Sequence, residues 1–218
     1  MSAKIEILRH FIVDNCHVKV ASVEPLGAPG ALVDALPQLS QYRREKVMRY
    51  RFDRGKWLSA GAGLLLDNML REHGLCERDM TYVEGEHGKP TFASHPELHF
   101  NLSHSGTLVA CALGDRPMGV DVQQFVDPRP SLVRYVMSDQ EIEAFEALGN
   151  DDDAKRLLFT QLWSLKECYA KATGLGLSHD FPSFKITGNT VTPLSPLTPT
   201  ATFHLATMPG AVVALAIL

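Results

Sequence analysis

The sequence predicts an α+β fold: a pseudo-twofold pair of similar lobes, each a long helix packed on a small antiparallel sheet, with the active site in the cleft between them. Three observations lead there. At 218 residues the chain is too long for one small domain and short for two ordinary ones. Short β-rich runs recur at close spacing between Gly, Pro and Asp turns. The order of a long helical segment followed by about three strands occurs twice, in residues 1–118 and again in 119–218.

The elements follow in chain order. Ile5–Leu8 and His17–Val23 carry β-type patterning, and Arg43–Leu70 lacks it, which predicts one or two helices ending at Gly74. Thr81–Glu84, Leu98–Leu102, Thr107–Leu113 and Met118–Gln123 are expected strands. Ser138 and Glu141 have the spacing of a capping box and open a helix over Ser138–Leu148. A longer helix is expected over Ala154–Thr173, stopped at Gly174. The strands Phe184–Thr187, Ala201–Ala206 and Ala211–Ile217 close the chain, with Pro193, Pro196 and Pro199 marking an exposed linker.

Composition excludes several classes. Hydrophobic residues make up 45% and charged residues 21%, enough to bury a core and too apolar for disorder. A net charge of −4 argues against a general nucleic-acid binder. The longest apolar run, Ala211–Leu218, falls far short of a membrane span, and the first residues are charged where a signal peptide is apolar. Cys16, Cys76, Cys111 and Cys168 stand far apart, as reduced thiols of a cytoplasmic protein would.

Charge and alternation then locate the chemistry. Seven basic residues against Glu45 and Asp53 give Gln41–Lys56 a charge of +5, leaving −9 for the remainder, so this stretch suits an anionic ligand or an acidic partner. In Met118–Gln123, period two puts Gly119, Asp121 and Gln123 on one face. Asp121 is costly to bury there without a partner or a cation, and Gly119 leaves space beside it. Trp163, Glu167 and Lys171 share one helix face at i, i+4, i+8. A surface ion pair is the plain reading of Glu167 and Lys171; a carboxylate for Mg²⁺ with a lysine for phosphate is the sharper one. Ser103, His104, Ser105 and Gly106 form a polar tip suited to phosphate, and Gly88–Pro90 presents Lys89 on a tight turn.

The ordered set Gly88-Lys-Pro90, Phe100-Asn-Leu-Ser-His-Ser105, Gly119-Val-Asp-Val122 and Trp163-Ser-Leu-Lys-Glu167 with Lys171 resembles the Sfp-type 4′-phosphopantetheinyl transferases over roughly Ser40–Phe184. The resemblance implies transfer of 4′-phosphopantetheine from coenzyme A to a serine of an acyl or peptidyl carrier protein, with release of adenosine 3′,5′-bisphosphate. It implies a monomer that needs Mg²⁺ and neither nucleic acid nor membrane. By position, Asp121 and Glu167 hold Mg²⁺ with the pyrophosphate. Ser103 and His104 contact phosphate, Lys89 lines the nucleotide pocket, and Arg43 and Lys46 meet the 3′-phosphate. Lys166 and Lys171 neutralise the pyrophosphate, and Lys171 also serves the leaving group. Glu141 lies near the reacting serine as the alternate base to Glu167. Gln123 stands where many relatives have a third acid, its amide oxygen or a water completing the metal shell, and Leu58 stands where an arginine is expected. Phe125–Arg134 either offers apolar and basic side chains to a carrier helix or is a buried connector between the lobes. A non-catalytic coenzyme A or nucleotide-binding protein of the same fold is the alternative function.

Overall fold

The computed structural model describes residues 5–85, 88–174, 181–187, 190–193 and 199–218. The chain divides into two compact units, one ending at Arg116 and the other running from Pro117 to Leu218. Both are α+β, and every strand pairing among the described residues is antiparallel.

The first unit opens with a hairpin of β1 (Glu6–Val13) and β2 (Cys16–Ser22). Asp14 and Asn15 form its two-residue turn with φ of 46° and 62°, the left-handed pair that matches strand twist. Asp and Asn tolerate that region better than other side chains with a Cβ. The strand expected to end at Leu8 therefore runs on to Val13. It lies at the outer position of a four-stranded sheet, where Arg9 and His10 can face water. β5 (His99–Ser105) and β6 (Leu108–Gly114) complete that sheet in the order β1-β2-β6-β5. A second hairpin pairs β3 (Tyr82–Glu84) with β4 (Pro90–Phe92), a strand the sequence reading did not anticipate.

The basic segment forms two helices after a short α1 (Ala31–Ala35): α2 (Gln41–Arg49) and α3 (Asp53–Leu70), separated by extended backbone at Tyr50 and Phe52. Ser40 caps α2 by accepting from Arg43 N. Ala60, Leu65, Leu66, Met69 and Leu70 of α3 are buried in the core of the unit. Gly63 matters for the site: a Cβ there would lie 2.8 Å from Arg43 Cγ, so its absence makes room for the arginine stem.

In the second unit, β7 (Met118–Gln124), β10 (Thr202–Met208) and β11 (Ala211–Ile217) form a sheet in the order β10-β11-β7. The register sets Asp121 opposite Ala214 and Gly119 opposite Ala216. α4 (Pro130–Val136), α5 (Asp139–Glu146) and α6 (Asp152–Thr173) supply the helices, and β8 (Phe184–Thr187) pairs with β9 (Thr190–Pro193). The capping box at Ser138 and Glu141 is present. Pro193 ends β9 instead of lying in a linker, Pro196 lies outside the described residues, and the carbonyl of Pro199 accepts a hydrogen bond from Tyr169 Oη at 2.7 Å.

α6 crosses β7 at very short range. A Cβ built on Gly119 would lie 2.0 Å from Cys168 O, 2.4 Å from Ala172 N and 2.9 Å from Lys171 Cβ. The space that the sequence reading reserved beside Gly119 is thus filled by the backbone of α6. Two of those neighbours are main-chain atoms of a helix and cannot rotate aside. Gly119→Ala is expected to cost about 3 kcal/mol, read as a lowered midpoint in urea denaturation.

Candidate active site

In the first unit, Arg43, Lys46, Tyr50, Ser59, Asn101 and His104 line a cavity of about 210 Å³. The arginine is buried, and its Nε and Nη2 make no hydrogen bond. Its nearest carboxylate is Glu77, with Oε1 3.9 Å from Nε. Glu77 is fully buried and is committed elsewhere: Oε2 accepts from Ser40 N at 2.6 Å, and Oε1 accepts from Ser40 Oγ at 2.9 Å and Tyr82 Oη at 2.7 Å. A guanidinium held this way keeps its charge compensated at a distance while buried N–H groups stay available to an acceptor.

Lys46 Nζ donates to Tyr42 Oη at 2.8 Å, and Tyr42 in turn donates to Glu84 at 2.7 Å. Burial and the neighbouring Arg43 push the Lys46 ammonium below its ordinary pKa. Lys89 precedes Pro90, a further residue of the cavity wall, and burial pushes its pKa down to about 8. His104 is exposed at the cavity, whereas Ser103 is buried and strand alternation sends it to the opposite face. Ser103 and His104, both expected to contact phosphate, are adjacent on β5 and so point to opposite faces of its sheet. Tyr50, Ser59 and Asn101 are cavity residues the sequence reading missed. Asn101 sits inside the quoted Phe100–Ser105 run, so position in that strand was the available signal. Nothing local distinguishes Glu77.

In the second unit, Lys171 Nζ donates to Asp121 Oδ1 at 2.6 Å. Asp121 is buried and Lys171 is about a quarter exposed. Glu167, one turn before Lys171, is half-buried; burial raises its pKa, the charge of Lys171 opposes that rise, and Asp121 adds to it. The mutual influence of the two carboxyls brings Asp121 and Glu167 into one electrostatic neighbourhood. Gln123 is partly exposed on the same strand, and its Nε2 donates to Gln124 O at 3.1 Å. Among the described residues no three His, Cys, Asp or Glu side chains converge as a metal-binding group. Two carboxylates still fit Mg²⁺, a hard ion that takes one or two protein oxygens and completes its shell with water and phosphate.

Lys166 and Glu141 have other surroundings. Lys166 is fully buried, and its Nζ donates to Glu141 Oε2 at 2.6 Å, Val136 O at 2.7 Å and Phe181 O at 2.9 Å. Those three bonds use the three N–H groups of the ammonium. Glu141 is also buried, accepting from Ser138 N at 2.8 Å and Ile186 N at 3.3 Å. The expectation that Lys166 neutralises pyrophosphate and that Glu141 stands by a reacting serine is corrected: the two form an internal ion pair tying α5 to α6. The Phe125–Arg134 segment is divided: Phe125, Arg129 and Arg134 are exposed, whereas Leu132 and Val133 turn inward. Val133 is buried in the core of the second unit, and Leu132 packs against that core while partly exposed.

Residues 117–212 match the family model of the 4′-phosphopantetheinyl transferase superfamily. The chain is 30% identical to the 4′-phosphopantetheinyl transferase Sfp of Bacillus subtilis (strain 168) over 149 residues, 68% of this chain and 66% of that protein. The chain belongs to the 4′-phosphopantetheinyl transferase superfamily. Another relative, the 4′-phosphopantetheinyl transferase pptA of Paxillus involutus, is 32% identical over 68% of this chain and 64% of its own length. The 4′-phosphopantetheinyl transferase HetI of Nostoc sp. (strain PCC 7120 / SAG 25.82 / UTEX 2576) is 29% identical over 71% and 68%. The matched stretch thus spans just under two thirds of Sfp and of the Paxillus involutus relative. The crystal structure of Thermotoga maritima holo-[acyl-carrier-protein] synthase is similar over 47% of this chain and 62% of that one, at 20% identity and a TM-score of 0.36.

Within this superfamily member, Glu167 is held at an energetic cost. Its carboxyl binds a proton more readily folded than unfolded, so between the two pKa values the native state holds more protons and stability falls as pH rises. Glu167→Gln is therefore expected to melt at a higher temperature than the parent at pH 8. The difference should vanish at pH 4, below the unfolded value, where the native carboxyl is already neutral. Thermal melts across that range check it.

Proposed function

We propose that this chain transfers the 4′-phosphopantetheine group of coenzyme A to a serine hydroxyl of an acyl or peptidyl carrier protein. The serine oxygen forms the new bond to the phosphorus bearing the pantetheine arm. The bond from that phosphorus to the bridging oxygen breaks, and adenosine 3′,5′-bisphosphate leaves. The observation that carries the reading is the placement of Asp121, Glu167 and Lys171 together at the crossing of β7 and α6, in a chain related to named transferases.

Phosphoryl transfer asks chiefly for positioning and charge neutralisation. Arg43 and Lys46 bind the 3′-phosphate of the nucleotide, with Lys89 and His104 beside them; Ser103 contributes through the strand that carries His104. Asp121 and Glu167 would hold Mg²⁺, with Gln123 as a neutral third donor, and the ion when bound offsets the diphosphate charge. Lys171 stabilises the departing phosphate oxygen. Glu167 accepts the serine proton, a role its raised pKa suits, because a base poised nearer neutrality also returns the proton readily. The reading includes a cytoplasmic, monomeric enzyme without nucleic acid or membrane among its partners; no described helix is long and apolar enough to cross a membrane.

The test is incubation of the protein with coenzyme A, Mg²⁺ and a panel of apo carrier proteins, followed by intact-mass spectrometry. One or more carriers gain the mass of phosphopantetheine. Coenzyme A binding with every carrier left unmodified would instead assign the chain to the non-catalytic alternative, which the neutral Gln123 favours. Asp121→Asn and Glu167→Gln are each expected to lower the transfer rate at least about a hundredfold, with circular dichroism unchanged.

A further inference from the structure

The turn between α2 and α3 carries an unusual surface. Met48, Tyr50 and Phe52 are 62%, 42% and 72% exposed, three of the large apolar side chains that the chain leaves in water. They alternate with Arg49 and Arg51, and Arg54 follows; all residues from Met48 to Arg54 are exposed. Two bulky apolar groups in a helix linker would ordinarily turn inward, as Trp57 and Leu58 do a few residues later. Here the linker is fixed facing out. The Tyr50 ring lies over Gly55, where a Cβ would come within 2.5 Å of it. Arg54 Nε donates to Gly106 O at 3.2 Å, and the Arg51 guanidinium sits 5.4 Å from the Phe52 ring centroid.

Resting on the transferase reading, we propose that Met48–Arg54 is where the first unit docks the carrier protein, by receiving an acidic amphipathic helix. Two features select this occupant. Charge complementarity requires an acidic partner, since Arg49, Arg51 and Arg54 outnumber Asp53 within a segment of +5 on an acidic chain. Exposed Met and aromatic side chains beside arginine are what interfaces enrich, and they fit the apolar stripe of a helix whose flanks are Asp and Glu. The surface is also continuous with the ligand cavity, because Tyr50 belongs to both. A carrier seated there lies next to the cavity and shares with it only Tyr50.

Arg51→Glu and Phe52→Ser leave the cavity lining untouched and remove only exposed atoms. In steady-state transfer assays each is expected to raise KM for the apo carrier about tenfold and the pair about a hundredfold, as truncation of an interface anchor does. The KM for coenzyme A, kcat at saturating carrier and the melting temperature should stay within twofold, twofold and about two degrees of the parent. Parent KM for the carrier should rise with salt, and that slope should flatten in Arg51→Glu. An active parent whose variants keep the carrier KM overturns the docking proposal alone. A parent that modifies no carrier overturns the transferase reading and the docking proposal with it. Unchanged carrier KM together with loss of parent self-association in analytical ultracentrifugation on Phe52→Ser would assign the surface to a second copy, and also overturns the proposal.

Discussion

The second unit depends on how closely α6 approaches β7. Only a residue without a Cβ can occupy position 119, because the carbonyl of Cys168 and the amide of Ala172 fill the space a side chain would need. That contact sets the height of the helix above the sheet. Two residues along the strand, Asp121 comes within hydrogen-bond distance of Lys171, and Glu167 lies one turn back on the same helix face. A helix at an ordinary distance from a sheet would leave the acid of the strand and the acid of the helix too far apart to influence each other. The close approach therefore places Asp121, Glu167 and Lys171 near one another as well as packing the helix on the sheet.

α6 also divides its two lysines between two tasks. At about 100° per residue, Lys166 and Lys171 point roughly 140° apart, whereas Glu167 and Lys171 differ by only about 40°. One lysine can face Asp121 and the other cannot. Lys166 instead runs into the interior, where Glu141 and two carbonyls surround it. An ammonium buried completely is tolerated because all of its donors are used and a carboxylate neutralises it. The pair fixes α5, α6 and the Phe181 segment together, and so holds the helix that carries Glu167 and Lys171. Its contribution to the site is positional.

This division is legible in the sequence. The capping-box spacing of Ser138 and Glu141 already committed one oxygen of that carboxylate to the backbone, and helical periodicity already separated Lys166 from the Glu167 face. The strands around Asp121 and His104 were legible because alternation there is strict and the turns are punctuated by Gly and Pro. The long α6 was legible from its apolar stripe at Leu158, Leu162, Leu165 and Tyr169, and its C-terminal Gly174 adopts φ of 73°. What local pattern could not carry was long-range pairing. β4 is three residues and exists by virtue of β3. Glu77 looks like any surface acid until Ser40 and Tyr82 close around it, and Val133 looks available until its helix folds it inward.

The first unit shows why a long-range arrangement of that kind suits a binding site. Glu77 could have taken Arg43 into a tight bidentate pair, which would have satisfied the guanidinium and closed the cavity to anions. Its oxygens go instead to Ser40 and Tyr82, leaving Arg43 Nε at 3.9 Å, outside hydrogen-bond range. Lys46 donates to a phenol, has the Glu84 carboxylate at 3.8 Å, and is partly desolvated beside a like charge. Burial therefore disfavours the charged form of Lys46, and Arg43 keeps buried N–H groups without an acceptor, so an anion in the cavity would serve both. Buried donors kept from their nearest carboxylate can give affinity without a deep cavity, so under the transferase reading about 210 Å³ would suffice for one phosphate of a larger ligand.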